Sequence, residues 1–260
     1  MHGTIKFYCN THVLKKILIV NIIALGDTHG RDLWQEIAKK EDYDKFIFIG
    51  DYLDSRENIT TRFQIENFER ILDFKRNDPE RVVVLIGNHD YHYFDFVNEH
   101  YSGFQSNYKK EISRLLNDAI EERLMQICFL HEKYLFSHAG VTNTWYKKNV
   151  GTDKQLETRI NNLLYNSPES FSFTIGENCS PFGNDKTQSP IWVRPDSLIN
   201  DRLDGYIQVV GHTIQKTITT LNDVVFIDTL GTSQEYFTLK KNEIELIYFQ
   251  ESVTLSNSLQ

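Results

Sequence analysis

The chain carries apolar runs that are nearly continuous rather than alternating: ILIVNIIAL (17–25), KFIFIG (45–50), RVVVLIG (81–87), KYLFSHAG (133–140), YIQVVGH (206–212) and VVFIDT (224–229). A strand covered on both faces needs apolar side chains at successive positions, so these runs predict buried strands. Between them the spacing becomes helical. RDLWQEIAKK (31–40) starts the series. TTRFQIENFERILDFKR (60–76) lines up Phe63, Phe68, Ile71, Leu72 and Phe74, and KKEISRLLNDAIEERLMQI (109–127) lines up Ile112, Leu115, Leu116, Ile120 and Leu124. DKQLETRINNLLYN (153–166) repeats the pattern more weakly. Beyond residue 205 helical spacing stops. VVFIDTLGTSQEYFTLKKNEIELIYF reads as strands joined by tight turns, with KKNE as a hairpin loop.

Strand–helix alternation predicts a layered α/β fold. Residues 1–16 read as an N-terminal extension, 17–250 as one domain and 251–260, ending in polar ESVTLSNSLQ, as a frayed tail. Residues 166–189 hold Ser, Asn, Gly and Pro without periodicity, and a loop of that length in a compact domain points to a binding or lid loop.

Composition changes the picture in two ways. The 260 residues carry a formal net charge of −8, which disfavours stable binding to nucleic acid or to an anionic membrane, both of which need clustered Lys and Arg. Cys9, Cys128 and Cys179 form no CxxC pair, which disfavours a disulfide framework or a zinc finger and suits a reducing, cytoplasmic setting. VLKKILIVNIIALG has the look of a signal peptide. It is too short to span a bilayer, lacks a small-residue cleavage site and runs into Asp27, so it reads as a strand.

The candidate chemistry sits where the strands stop. Asp27 and His29 follow the first run, Asp51 and Asp54 the second, Asn88, His89 and Asp90 the third, His138 the fourth and His212 the fifth. Ligands of open α/β sheets gather outside the carboxyl ends of strands, so these ends can converge. Carboxylates, imidazoles and a carboxamide without thiolate suit Mn, Fe, Zn or Ni. Asp27, His29, Asp51, Asn88, His138 and His212 are too many donors for one open ion and suit two ions sharing a carboxylate. Gly26, Gly50, Gly87 and Gly211 precede the donor residues and permit a sharp turn there.

The ordered set GDTHG, GDYLD, GNHD, SHAG and VGHT resembles the calcineurin-like metallophosphoesterase superfamily, and within it the branch of protein serine/threonine phosphatases and bacterial diadenosine tetraphosphate hydrolases. The resemblance runs from about residue 17 to 235. It implies a β-sandwich flanked by helices, with a dinuclear centre at one edge. Asp27 and His29 would hold the first ion, Asp51 would bridge, and Asn88, His138 and His212 would hold the second. His89 would protonate the leaving oxygen, oriented by Asp54. GHTI places Ile214 where nuclease-like members carry a second histidine, which favours the phosphatase-like branch. GDYLDSRE has Ser55 where that branch carries a phosphate-gripping arginine, with Arg56 one position later, either a replacement grip or a surface residue. Arg194 in WVRP matches a phosphate-gripping position of bacterial-type members, and a guanidinium clamps two phosphoryl oxygens at once.

The resulting expectation is hydrolysis of phosphate monoesters with two divalent ions, manganese before iron, zinc or nickel. The substrate is a phosphoserine or phosphothreonine protein, with dinucleoside polyphosphates or other small phosphometabolites as the alternative. Segments 91–127 and 166–189 are expected to frame the pocket and to separate the two. An aromatic-lined pocket would favour nucleotides. His92 and His100 read as exposed loop histidines that could reach the rim, His131 as a turn residue, and Asp228 as a candidate support for His212. Tyr91, Tyr93, Phe94 and Phe96 read as core, with base stacking as the other use.

Overall fold

The computed structural model describes residues 20–151, 155–177, 180–240 and 243–248. The expected extension and tail, Cys9, Cys179, the tip of the KKNE loop and the start of the 153–166 segment lie outside the described residues.

In chain order the elements are β1 (Ile22–Leu25), α1 (Trp34–Lys40), β2 (Lys45–Phe48), α2 (Thr61–Asn77), β3 (Val82–Leu85), α3 (Asn88–Tyr91), α4 (Lys109–Glu121), β4 (Met125–Gln126), β5 (Cys128–His131) and β6 (Tyr134–Ser137). They continue as α5 (Asn143–Asn149), α6 (Leu156–Asn166), α7 (Pro195–Asp201), β7 (Ile207–Val210), β8 (Thr219–Leu221), β9 (Val224–Phe226), β10 (Glu235–Lys240) and β11 (Glu243–Tyr248). One sheet has the order β11-β10-β1-β2-β3-β4 and the other β5-β6-β7-β9-β8. The expected layered α/β sandwich is therefore what forms.

The continuous apolar runs have a simple cause. Ile22 and Ala24 of β1, Ile47 of β2, and Val83 and Leu85 of β3 face the second sheet, packing with Phe136, Val209 and Val225. The intervening Ile23, Leu25, Phe46, Phe48, Val82 and Val84 face the helices, against Trp34, Ile65, Phe68, Ile71 and Leu72. Period-two alternation therefore sorts side chains between two apolar layers, and every position stays buried. The second sheet is covered on its outer face in the same way, where Val210, Val224 and Phe226 pack with Leu198 of α7.

All six runs read as buried strands are members of the parallel ladders β1–β2–β3 and β6–β7–β9. Their carboxyl ends share a direction within each sheet, which is what brings the donor residues together. The differences from the sequence reading fall elsewhere. The helix expected to reach residue 127 stops at Glu121. Arg123 then takes a φ of 58°, and Met125 and Gln126 pair with β3 instead. Tertiary pairing outweighs the helical pattern of that last turn. His131 belongs to β5, opposite Tyr134, rather than to the turn beside it. The short helices α5 and α7 were not anticipated. Thr142 caps α5 by accepting from Trp145 N, and Pro195 opens α7 with its φ already suited to a helix.

Candidate metal centre

The turns after β1, β2 and β7 are tight and unusual. His29, Asp51, Asp54 and His212 adopt φ values of 43°, 54°, 60° and 65°. The left-handed region is uncommon for residues other than glycine, and such strain persists where surrounding structure over-determines it. Here the surroundings are hydrogen bonds among the turns themselves. His212 N donates to Asp27 Oδ1 at 2.9 Å and His89 N to Asp51 Oδ1 at 2.8 Å. Buried Asp90 accepts from Gly87 N, Asp51 N and Tyr52 N at 2.8–2.9 Å, locking the β2 turn to the β3 turn. The sequence reading gave Asp90 no role, although its place directly after His89 put it in view. Gly87 and Gly211 are required by close approach: a Cβ would lie 2.1 Å from Asp51 Oδ1 at the first and 2.2 Å from Asp27 Oδ1 at the second.

The donor atoms converge. Ligand atoms of Asp27, His29 and Asp51 lie within 4.8 Å of one another, and so do those of Asp51, His138 and His212. Asp51 belongs to both groups. The proton positions decide whether this set fits a cation. His138 Nδ1 faces the carbonyl of Ile49 at 3.1 Å, and a carbonyl only accepts, so the ring proton sits on Nδ1. His138 Nε2 then presents a lone pair to Asn88 Oδ1 at 3.0 Å, His212 Nδ1 at 3.2 Å and Asp51 Oδ2 at 3.4 Å. His212 Nε2 faces the Trp192 carbonyl at 3.2 Å, which leaves its Nδ1 as a second lone pair. His29 Nδ1 faces the Leu53 carbonyl at 2.5 Å, so its Nε2 is free toward Asp27 and Asp51 at 4.0 and 3.9 Å. Burial lowers the pKa of both His29 and His212, which favours these neutral forms. Acceptors aimed at acceptors repel one another unless a cation lies between them, and backbone carbonyls fix each ring as they do around bound metals. The residues present therefore fit two divalent ions.

The carboxylates show the same frustration. Burial raises the pKa of Asp27, helped by Asp228 and Asp51. It raises that of Asp90, helped by Asp51. Asp228 is pushed up to about 6 by burial and by Asp51. Burial also acts upward on Asp51, yet positive charge beside it, on His138 first and then His89, outweighs it and holds Asp51 well below the ordinary carboxylate value; with the rings neutral, a cation would supply that charge.

A second group stands behind His89. Asp54 is buried, and its Oδ2 lies 3.0 Å from His89 Nδ1 and 2.7 Å from His92 Nε2, while Tyr93 donates its hydroxyl to Oδ1 at 2.6 Å. Tyr101 N donates to His92 Nδ1, so the His92 proton sits on Nε2 and faces Asp54. His92 is fully buried and holds Asp54, which corrects its reading as an exposed loop histidine. Its signal was the Asn-His-Asp-x-His spacing, which puts it three residues beyond His89. His100 is exposed and stacks on Phe104. Tyr91, Tyr93 and Phe94 are core, whereas Phe96 is 48% exposed. Burial disfavours the His89 imidazolium, but Asp51 and Asp54 favour it more strongly, and the His89 pKa lies above the ordinary value.

One cavity of about 360 Å³ is lined by Asp27, Asp51, Asn88, His89, Arg56 and Arg194. Arg56 is exposed and lines this cavity. Arg194 is oriented by Phe182 O at 2.9 Å and Thr213 Oγ1 at 3.3 Å. Asp228 lines this cavity too, but His212 is held by Asp27 and Trp192 rather than by it.

The comparisons agree with this geometry. The family model for calcineurin-like phosphoesterases matches residues 20–227, and the chain belongs to that family, whose members depend on a pair of divalent metal ions. A probable serine/threonine-protein phosphatase of Encephalitozoon cuniculi is 29% identical over 164 residues, 57% of this chain and 34% of the relative. The match thus spans about a third of that relative's length. The cold-active protein-tyrosine phosphatase of a psychrophilic Shewanella species superposes with a TM-score of 0.55 at 19% identity, covering 89% of this chain and 81% of that one. A protein serine/threonine phosphatase from Saccharomyces cerevisiae gives 0.51 at 14% identity with the same coverages. At these identities the likeness is one of fold. Among the described residues no helix is long and apolar enough to cross a membrane.

Proposed function

We propose that the chain is a dinuclear-metal phosphomonoesterase of the serine/threonine protein phosphatase kind, working in the cytoplasm with manganese. The observation that carries this reading is the pair of donor groups sharing Asp51, with His89 and two arginines around the same cavity. Asp27, His29 and Asp51 would hold one ion and Asp51, Asn88, His138 and His212 the other. Such a pair supplies an activated water and neutralises charge on a bound phosphoryl group. The protein side of the reaction is done by named groups. Arg194 and Arg56 grip the phosphoryl oxygens, and the mutual repulsion of two guanidiniums in one cavity is relieved by the dianion. His89 donates a proton to the departing oxygen, and Asp54, itself held by His92 and Tyr93, keeps that ring charged and aimed.

The test is steady-state hydrolysis by the purified chain in Mn²⁺, offering a phosphothreonine peptide and diadenosine tetraphosphate, with Asp51→Asn as control. Faster release from the peptide supports the protein phosphatase reading, and faster cleavage of the dinucleotide moves the chain to nucleotide hydrolysis. A wild type no faster than Asp51→Asn on both substrates and on p-nitrophenyl phosphate overturns the catalytic reading.

A further inference from the structure

Beside the reaction cavity lies a second, smaller recess of about 210 Å³, which opens at Asn88 and His89. Its wall is aromatic: Tyr101, Phe173, Phe182 and Trp192, with Arg56 and Arg194 shared with the reaction cavity. Three of these rings brace one another edge to face. Trp192 stands 4.3 Å from Tyr101 at 67° and 5.0 Å from Phe173 at 74°, and Tyr101 stands 6.3 Å from Phe173. The cluster is also tied to the catalytic groups. Tyr101 N donates to His92, which holds Asp54, and Trp192 O accepts from His212. Phe182 is different. It is 77% exposed at the mouth, and its carbonyl accepts from Arg194 Nε. Tyr101 comes from the 91–127 segment and Phe173 and Phe182 from the 166–189 segment, while Trp192 lies just beyond it.

We infer that this recess receives the ring of an aryl leaving group, so that the same centre also cleaves phosphotyrosyl residues of proteins. This rests on the phosphomonoesterase reading and goes beyond its serine/threonine substrate. The argument is positional. The recess begins at His89, the group placed to protonate the departing oxygen, so what fills it is carried by that oxygen. A seryl or threonyl methylene leaves an aromatic-walled space empty. A phenyl ring bonded directly to the oxygen enters it and meets ring edges and faces together with two guanidiniums. The same aromatic wall suits a nucleobase, the occupant that the nucleotide arm of the experiment tests. In the reaction the phosphorus–aryl oxygen bond breaks and a water oxygen bonds to phosphorus. The His89 proton passes to the phenolate oxygen, and a proton released from the water replaces it.

The experiment compares kcat/KM of the full chain in Mn²⁺ on two peptides identical except for phosphotyrosine or phosphothreonine, in wild type and Phe182→Ala. Phe182 is largely exposed, so its truncation spares the core. The expected result is measurable turnover of the phosphotyrosine peptide, and a tyrosine-to-threonine ratio that drops about 2- to 10-fold in the variant, mainly through KM. An unchanged ratio, or no turnover of the phosphotyrosine peptide while the phosphothreonine peptide is cleaved, overturns the proposal. So does a nucleoside 5′-monophosphate that outcompetes both peptides with the same dependence on Phe182. Failure of the underlying reading looks different: no substrate, p-nitrophenyl phosphate included, is cleaved above the Asp51→Asn control.

Discussion

Asp54→Asn isolates the acid that acts on the leaving group. The carboxylate is 1% exposed and faces three donors: Tyr93 hydroxyl at one oxygen, His89 Nδ1 and His92 Nε2 at the other. An amide has one oxygen, so its NH₂ must face either the imidazoles or a tyrosine hydroxyl that already accepts from Gln105 N at 2.7 Å. At least one hydrogen bond to a charged acceptor is lost, worth about 1.5–3 kcal/mol, or roughly 10- to 150-fold in rate if His89 loses that support in the transition state. The assay is kcat on esters of increasing leaving-group basicity. The alkyl phosphothreonine peptide should show the full loss and p-nitrophenyl phosphate little, because nitrophenolate departs without a proton. The pH profile carries a sign as well. Asp54 helps raise the His89 pKa, and activity that needs protonated His89 falls as pH climbs through that value. Removing the carboxylate should therefore move the alkaline limb to lower pH. Equal losses on all esters, with metal content unchanged, would refute the assignment of His89 as the acid.

Further outcomes follow from the geometry. Gly87→Ala places a Cβ 2.1 Å from Asp51 Oδ1 and 2.5 Å from Asp51 N, so the bridging carboxylate must retreat by about 1 Å; metal analysis should show ion loss and activity should fall about 100-fold or more, and full occupancy with normal turnover would sink the shared-carboxylate arrangement. Arg194→Ala and Arg56→Ala should each raise KM for phosphate esters and weaken inhibition by inorganic phosphate, and a variant with unchanged phosphate inhibition has no part in the grip. In the chelated protein Asp228 titrates near 6 against about 4 unfolded, so the folded state binds the extra proton and loses about 3 kcal/mol from this group as pH rises across that window. The Tm advantage of Asp228→Asn over the chelated wild type should accordingly widen from pH 4 to pH 6.5, and a constant gap would contradict the shifted carboxyl.

The parallel strands were legible because burial on both faces leaves an unbroken apolar run. The edge elements were not: β4 has two residues, Met125 and Gln126, and its pairing with β3 depends on where α4 stops. The donor residues were legible for a related reason. A buried strand must end somewhere, and Asp27, His29, Asp51, Asn88, His138 and His212 stand within a few residues of those ends. His92 was misread because it caps a four-residue helical turn, too short to show the periodicity that marks a buried face.

The sequence by itself determined the strand set, the donor identities and their order along the chain, since these follow from local burial and residue chemistry. Only the tertiary structure decided which lone pairs meet. The protons of His138, His212 and His29 are fixed by the carbonyls of Ile49, Trp192 and Leu53, and no spacing along the chain encodes those contacts. It also decided that Arg56 lines the cavity, and that Tyr101 and Trp192, ninety-one positions apart in number, form one aromatic wall beside His89. Side-chain direction at a turn is set by packing against distant segments, so it becomes visible only when the sheets have closed on each other.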